Sequence, residues 1–177
     1  MARLPTWLTE SERKRLWGLE SLSKRDRAIL AVFLFGGLRS NELRMLDVGD
    51  IDVDERTILV RFGKRNTQRL IPLHTNAKAA LRDHLGDLGD GPVFLGNRGA
   101  RISNRGVRHL VKRWGKQAGL QKDLHPHALR HTFAVSLLEA EVDLETIRDL
   151  LGHASIQTTS IYLHCTTQRK RSAVDRL

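Results

Sequence analysis

The sequence of 177 residues lacks several features that define common protein classes. Its one cysteine, Cys165, cannot form a disulfide within the chain, which favours a reducing compartment. No apolar run approaches the roughly 18 residues of a membrane-spanning helix, and the N-terminus lacks the apolar region of a signal peptide. These absences predict a cytoplasmic protein.

Acidic residues are scarce relative to basic ones. The chain has 30 Lys and Arg against 20 Asp and Glu, with a formal net charge of +10. The stretch from Gly91 to Lys122 holds eight Lys or Arg and no acidic residue. Such a surface can be merely solvated. A stretch whose charged residues are all basic nevertheless favours a surface that binds a polyanion, either nucleic acid or an anionic membrane surface.

Hydrophobic residues make up 40% of the chain, enough for a single domain without a disulfide staple. Their spacing predicts a mainly α-helical domain with a small antiparallel β-sheet, an α+β fold. Predicted strands are Thr57–Phe62 and Gln68–Leu73, joined by a polar turn at Gly63–Thr67, with a minor pair at Val93–Leu95 and Arg101–Ile102. Predicted helices run from Thr9 to about Ser21, from Ser23 to Gly36, and over Leu38–Leu46, Thr75–Leu85, Asn104–Gln117, Pro126–Glu139, Asp143–Gly152 and Gln168–Arg176.

The stretch from His125 to Tyr162 carries the strongest chemical signal. His127 and Arg130 have i, i+3 spacing in the first turn of a helix that begins at Pro126, where free backbone N–H groups favour anions. His153 follows the helix-ending Gly152, and Tyr162 is the only tyrosine in the chain. The arrangement predicts a pocket for one phosphodiester, with Tyr162 as the nucleophile that attacks it.

A structural tyrosine, a reactive thiol and a zinc site are the alternative interpretations of this stretch. A lone tyrosine is more often a core or interface residue, and Cys165 has no visible partner that would activate it. His127 and His131 have the spacing of a zinc pair, but Ala-Leu-Arg lies between them and no Glu stands in the base position. With neither paired carboxylates nor a phosphate-binding glycine loop nearby, we predict no metal site, and cationic side chains take that role.

One helix is predicted to contact a polyanion directly. In Asn104–Gln117 the core-facing residues recur at i, i+3, i+4 and i+7, and a basic stripe lies on another face. The alternative is that this stripe is only a solvated face. We predict base contacts from Arg101 and Arg105 and phosphate contacts from Lys112 and Lys116, with Arg108 in the same stripe.

Five separate segments carry a family pattern in the expected order. They are Gly37-Leu38-Arg39-Ser40-Asn41-Glu42-Leu43, Lys64 in the hairpin turn, His127-Ala128-Leu129-Arg130, Leu151-Gly152-His153, and Tyr162. Together they resemble the catalytic domain of the tyrosine recombinases, the phage integrase and Xer family. The resemblance covers roughly Leu8 to Arg176 and implies that family's catalytic-domain fold.

The resemblance implies a role for each residue in metal-free and ATP-free DNA cleavage and religation. Tyr162 forms a 3′-phosphotyrosyl intermediate, and Lys64 protonates the leaving 5′-oxygen. Arg39 and Arg130 bind the non-bridging oxygens, and His153 donates a further hydrogen bond. His127 assists proton transfer from Tyr162. Arg39 and Glu42, at i, i+3, also have the spacing of an ion pair that orients the arginine.

The resemblance also implies partners and alternatives. We expect double-stranded DNA as substrate, a tetrameric synapse on DNA, no membrane, no cofactor, and a bacterial, archaeal or phage origin. Residues 1–177 are expected to form one catalytic domain without the family's N-terminal DNA-clamping domain, and tail 166–177 is expected to dock in cis or in trans. The alternatives are a type IB topoisomerase-like nicking and closing enzyme and a non-catalytic DNA-binding regulator.

Overall fold

A computed structural model of the chain describes residues 6–61, 68–86 and 88–152. The predicted turn with Lys64, the residues His153, Tyr162 and Cys165, and the predicted helix Gln168–Arg176 lie outside the described residues. The elements are α1 (Glu10–Trp17), α2 (Lys24–Gly36), α3 (Ser40–Met45), a 3-10 turn (Val48–Asp50), β1 (Ile51–Asp52), β2 (Thr57–Val60), β3 (Arg69–Pro72), α4 (Thr75–Leu85), α5 (Asn104–Gln117), α6 (Pro126–Glu139) and α7 (Leu144–Leu151).

The helices begin where side-chain caps were predicted. Thr9 and Glu12 form a capping box, and the side chains of Ser23 and Asp143 each accept a first-turn backbone N–H. The predicted end of the first helix near Ser21 is wrong. Helix α1 ends at Trp17 because Arg27 donates to the backbone carbonyls of Trp17 and Leu19, which holds that segment in a loop.

The mainly helical architecture with a small antiparallel sheet is confirmed. The sheet has the order β1-β2-β3, and the predicted hairpin pairs Thr57 with Pro72 and Val60 with Arg69. Strand β1 was not predicted, since a strand of two residues is too short to show the alternation of apolar and polar residues. The predicted minor pair does meet in antiparallel fashion, but as an isolated bridge instead of two strands: Leu95 pairs with Arg101 around the turn at Gly96–Gly99, and the N–H of Ile102 donates to the carbonyl of Phe94 at 2.9 Å.

Helix α2 runs through the centre of the core, packed between α4 and α6. Its residues from Ala28 to Leu34 are all buried, as the continuous apolar run predicted, while Phe35 is half-buried. Gly37 ends the helix with a left-handed φ of 62°, and a Cβ at this position would lie 2.2 Å from Cδ1 of Phe133. Only glycine allows this approach, which brings the start of α3 against α6.

Helix α5 lies against the core with one face, as predicted. Val107, Leu110, Val111 and Trp114 are buried. Gly115 lies so close to Leu124 that a Cβ would approach to 2.8 Å, which holds the helix tightly on the domain. Within the described ranges, no helix is both long and apolar enough to cross a membrane.

Candidate active site

Arg39 lies at the N-cap of α3 and contacts Glu42, which confirms the predicted ion pair. The backbone N–H of Arg39 donates to Oε2 of Glu42 at 2.8 Å, and its Nη1 donates to Oε1 at 2.7 Å. Its Nη2 donates to the carbonyl of Gly152 at 3.0 Å. Arg39 therefore connects α3 to the residue directly before His153.

A second arginine, Arg69, binds the same carboxylate and was missed by sequence reasoning. Its Nη1 and Nη2 donate to Oε1 and Oε2 of Glu42 at 3.0 and 2.9 Å, and its Nε donates to the carbonyl of Leu150 at 3.0 Å. The sequence offers no clear signal for it, because the apolar Leu70 is 63% exposed while Arg69 shares the inner face of β3 with Ile71.

A third arginine, Arg130, is buried beside this pair. Its side chain is 3% exposed, and its Nη1 donates to the carbonyl of Gly37 at 2.7 Å, while its Nη2 donates to the carbonyl of Leu151. Nη1 lies 3.9 Å from Oε2 of Glu42. The structure thus brings Arg130 together with Arg39, as the sequence predicted for two groups that bind one phosphate.

Glu42 is buried at the centre of the three arginines, which we call the arginine cluster (Arg39, Arg69 and Arg130). Burial alone would raise its pKa, but hydrogen bonds and charge from Arg69, followed by Arg39, lower the pKa of Glu42 to about 2. The carboxylate is therefore ionised at neutral pH. Three guanidinium charges against one carboxylate give the site a net charge of two positive.

The depressed pKa of Glu42 predicts a loss of stability in acid. Above the unfolded value of 4.5 the folded state gains from the ionised carboxylate, and this gain is lost as pH falls through about 2. The full effect is about 3 kcal/mol of unfolding free energy.

Urea unfolding of wild type and Glu42→Gln, from neutral pH down to about pH 3, measures this effect. The advantage of wild type should shrink as the pH falls, and an advantage that stays constant with pH would contradict the prediction. The exposed Glu145→Gln serves as the control and should follow wild type throughout.

Two histidines occupy the first turns of α6 beside the cluster. Partial desolvation, followed by the charges of His125, Arg130, Arg39 and Arg108, lowers the pKa of His127. Burial, followed by His127, His125 and Arg130, lowers the pKa of His131 to about 4. Since both rings are neutral near pH 7, His127 is in the state that accepts a proton.

The predicted basic stripe lies on the solvent face of α5. Arg105, Arg108, Lys112 and Lys116 are all exposed. Arg101 lies outside the helix, where its guanidinium donates to Asp47 at 2.6 Å and to the carbonyls of Arg44 and Leu46. These contacts tie Arg101 to the protein and leave it less free to reach a base than Arg105.

The described part of the site is suited to binding a phosphodiester. It combines a net positive charge, arginines held in fixed orientation by backbone carbonyls, and a neutral histidine at a helix start. The segments that hold Lys64, His153 and Tyr162 adjoin this site in the chain: Arg69 follows the hairpin turn, and Gly152 precedes His153. The placement of those three residues remains a prediction.

Comparisons with known proteins show the family to which this chain is similar. The model of the phage integrase family matches residues 6–169. The tyrosine recombinase XerC of Thermodesulfovibrio yellowstonii is 41% identical over 176 residues, covering 91% of this chain and 58% of the relative. The XerC of Xanthomonas axonopodis is also 41% identical, covering 98% of this chain and 58% of that relative. The chain thus spans about three fifths of the length of these curated relatives.

Solved structures show the same fold. The crystal structure of XerA recombinase superposes with a TM-score of 0.89 at 34% identity, covering 99% of this chain and 64% of that one. A post-cleavage complex of XerH site-specific recombinase with palindromic difH substrate gives a TM-score of 0.83 at 28% identity, covering 97% of this chain and 53% of that one. Together with the family model, these likenesses establish that the chain belongs to the phage integrase family.

Proposed function

We propose that this chain is the strand-cleaving domain of a site-specific DNA recombinase that works through a 3′-phosphotyrosyl intermediate. The observation that carries the proposal is the arginine cluster, in which Glu42 and three backbone carbonyls orient Arg39 and Arg130 beside His127. The relatives named XerC and the XerH complex with its substrate support the same activity.

In the proposed reaction, Tyr162 attacks the scissile phosphate as His127 accepts its proton. Arg39 and Arg130 stabilise the charge that develops on the non-bridging oxygens, and His153 adds a hydrogen bond there. Lys64 gives a proton to the leaving 5′-oxygen. The 3′-phosphotyrosyl ester conserves the bond energy for religation, so this chemistry requires neither a metal ion nor ATP.

A nicked duplex that loses a short fragment after cleavage tests the proposal. Wild type should accumulate a covalent protein–DNA adduct, visible as a slower band on a denaturing gel. If wild type forms no adduct on any candidate site, the chain is a DNA-binding protein that retains the fold without the activity, and the proposal fails.

The exposed stripe of α5 is proposed to contact DNA, with Arg105 toward bases and Arg108, Lys112 and Lys116 toward the backbone. Arg101, which lies outside the helix, is proposed as a further base contact that would have to leave its partner Asp47. Arg108→Ala and Lys116→Ala should each weaken binding and lower the slope of log affinity against log salt by about one. Lys14→Ala is the matched control: it removes the same charge from α1, where Lys14 pairs with Glu10 at 2.6 Å. An equal loss in all three variants would indicate overall charge instead of a local contact.

We also propose that the domain assembles on double-stranded DNA as a tetrameric synapse, with tail 166–177 of one copy packing on its neighbour. A cavity of about 640 Å³ offers a site for an apolar segment. Its lining includes Trp17, Phe35, Phe133, Leu137 and Leu150. Size-exclusion chromatography with target DNA tests this proposal, and an unchanged monomer on DNA would contradict docking in trans.

A further inference from the structure

Arg69 has more contacts at the site than a surface ion pair requires. Its side chain is 13% exposed, and its three nitrogen atoms reach both oxygens of Glu42 and the carbonyl of Leu150. The planar guanidinium fits this set of acceptors, which a lysine ammonium on a flexible stem does not. The residue therefore joins β3, α3 and the end of α7 at one point.

Glu42 is fully hydrogen-bonded only because Arg69 is present. Oε1 accepts from Nη1 of Arg39 and Nη1 of Arg69, and Oε2 accepts from the backbone N–H of Arg39 and Nη2 of Arg69. Without Arg69, each oxygen of Glu42 would lose one hydrogen-bond donor, and the buried carboxylate would lose its bidentate guanidinium partner. Among the described residues, the cations then left beside the carboxylate are Arg39 and Arg130, and Nη1 of Arg130 is 3.9 Å from Oε2.

We propose that Arg69 is a positioning residue: by binding both oxygens of Glu42 it fixes the carboxylate that orients Arg39, and it leaves Arg130, whose Nη1 is 3.9 Å from Oε2, available to the phosphate. The inference rests on the proposed strand cleavage. In this proposal Arg69 does not contact DNA itself, but it determines the positive charge that the other arginines present to the phosphate. With Arg69, the three arginines and Glu42 together carry two positive charges, as many as the negative charges of a phosphorane formed by tyrosinate attack; without Arg69 this described group carries only one.

Gly152 packs closely against the side chain of Arg69. Gly152 has a left-handed φ of 61°, and a Cβ there would lie 2.8 Å from Nη1 of Arg69. Arg69 thus lies directly against the residue whose carbonyl holds Arg39. A substitution at Arg69 is therefore expected to disturb both Arg39 and the segment that begins at His153.

Single-turnover cleavage by Arg69→Gln and Arg69→Lys tests the proposal, with Leu70→Gln on the opposite face of β3 as control. Arg69→Gln should cleave about 10- to 100-fold more slowly than wild type, with Arg69→Lys between them and Leu70→Gln unchanged. A substrate with a methylphosphonate at the scissile position carries one negative charge less. The loss in Arg69→Gln should be several times smaller on that substrate, whereas an equal loss on both substrates would indicate a merely structural role and overturn the proposal.

A second measurement separates this proposal from the proposed function. If wild type forms no adduct, strand cleavage fails, but inorganic phosphate can still be titrated while the ¹⁵N NMR signal of the Arg39 Nε–H is followed. Weaker phosphate binding in Arg69→Gln than in wild type and Leu70→Gln supports the positioning role. Equal affinity, or no phosphate-dependent shift of Arg39 in wild type, overturns it.

Discussion

Replacing Tyr162 with phenylalanine is expected to abolish the covalent protein–DNA adduct completely. The change removes one oxygen atom and keeps the ring, so that packing and net charge are unaltered. No other tyrosine exists in the chain to take its place. Without the phenolic oxygen no phosphotyrosyl bond can form. The nicked-duplex assay on a denaturing gel measures the adduct, and a gel-shift titration should show unchanged DNA affinity.

Cys165 provides the control for this experiment, because its thiol is a nucleophile that lies close to Tyr162 in sequence. Cys165→Ser should form the adduct at the wild-type rate. An adduct that persists in Tyr162→Phe and disappears in Cys165→Ser would assign the nucleophile to the thiol and contradict the proposed chemistry.

Arg130→Ala is expected to slow cleavage by about 10²–10³, or ~3–4 kcal/mol of transition-state stabilisation, even where DNA binding is retained. The guanidinium is placed by the carbonyls of Gly37 and Leu151, which lie next to the segments that carry Arg39 and His153. Its loss removes a cation from the phosphate site and leaves two carbonyls without this donor.

A lysine at position 130 restores the charge but cannot reach both carbonyls with the same geometry, so Arg130→Lys should recover only part of the rate. Arg148→Ala is the matched control, because Arg148 lies on α7 and its ion pairs with described residues are surface pairs with Glu145 and Asp149. Rates measured well below each variant's melting temperature exclude unfolding as the cause. A loss in Arg130→Ala no larger than in Arg148→Ala would contradict the assigned role.

Local signals predicted most of the fold that holds this site. The caps at Thr9, Ser23 and Asp143 fixed helix starts, and the apolar spacing of α5 identified its buried face. These features depend on residues within a few positions of each other, which a sequence displays directly. The end of α1 was missed because a distant side chain, Arg27, determines it.

The site was predicted in part for the same reason. The i, i+3 pair of Arg39 and Glu42 was visible as a local pattern, and the structure confirms it. Arg69 was missed because its partner is in α3, and an arginine in a strand next to a polar turn is usually solvated. The inward face of β3 becomes clear only when the sheet is placed against α7.

The order in which the chain is synthesised gives the arginine cluster a further consequence. Glu42 meets Arg39 within three residues and Arg69 within 27, so its first ion pairs can form before Arg130 is synthesised. Arg130 lies 93 residues after the carbonyl of Gly37 that it binds, and the carbonyls of Leu150, Leu151 and Gly152 emerge later still. The arginine cluster therefore gains its last backbone contacts only after Gly152 has been synthesised, so a shorter growing chain does not present the finished cluster to nucleic acid around it.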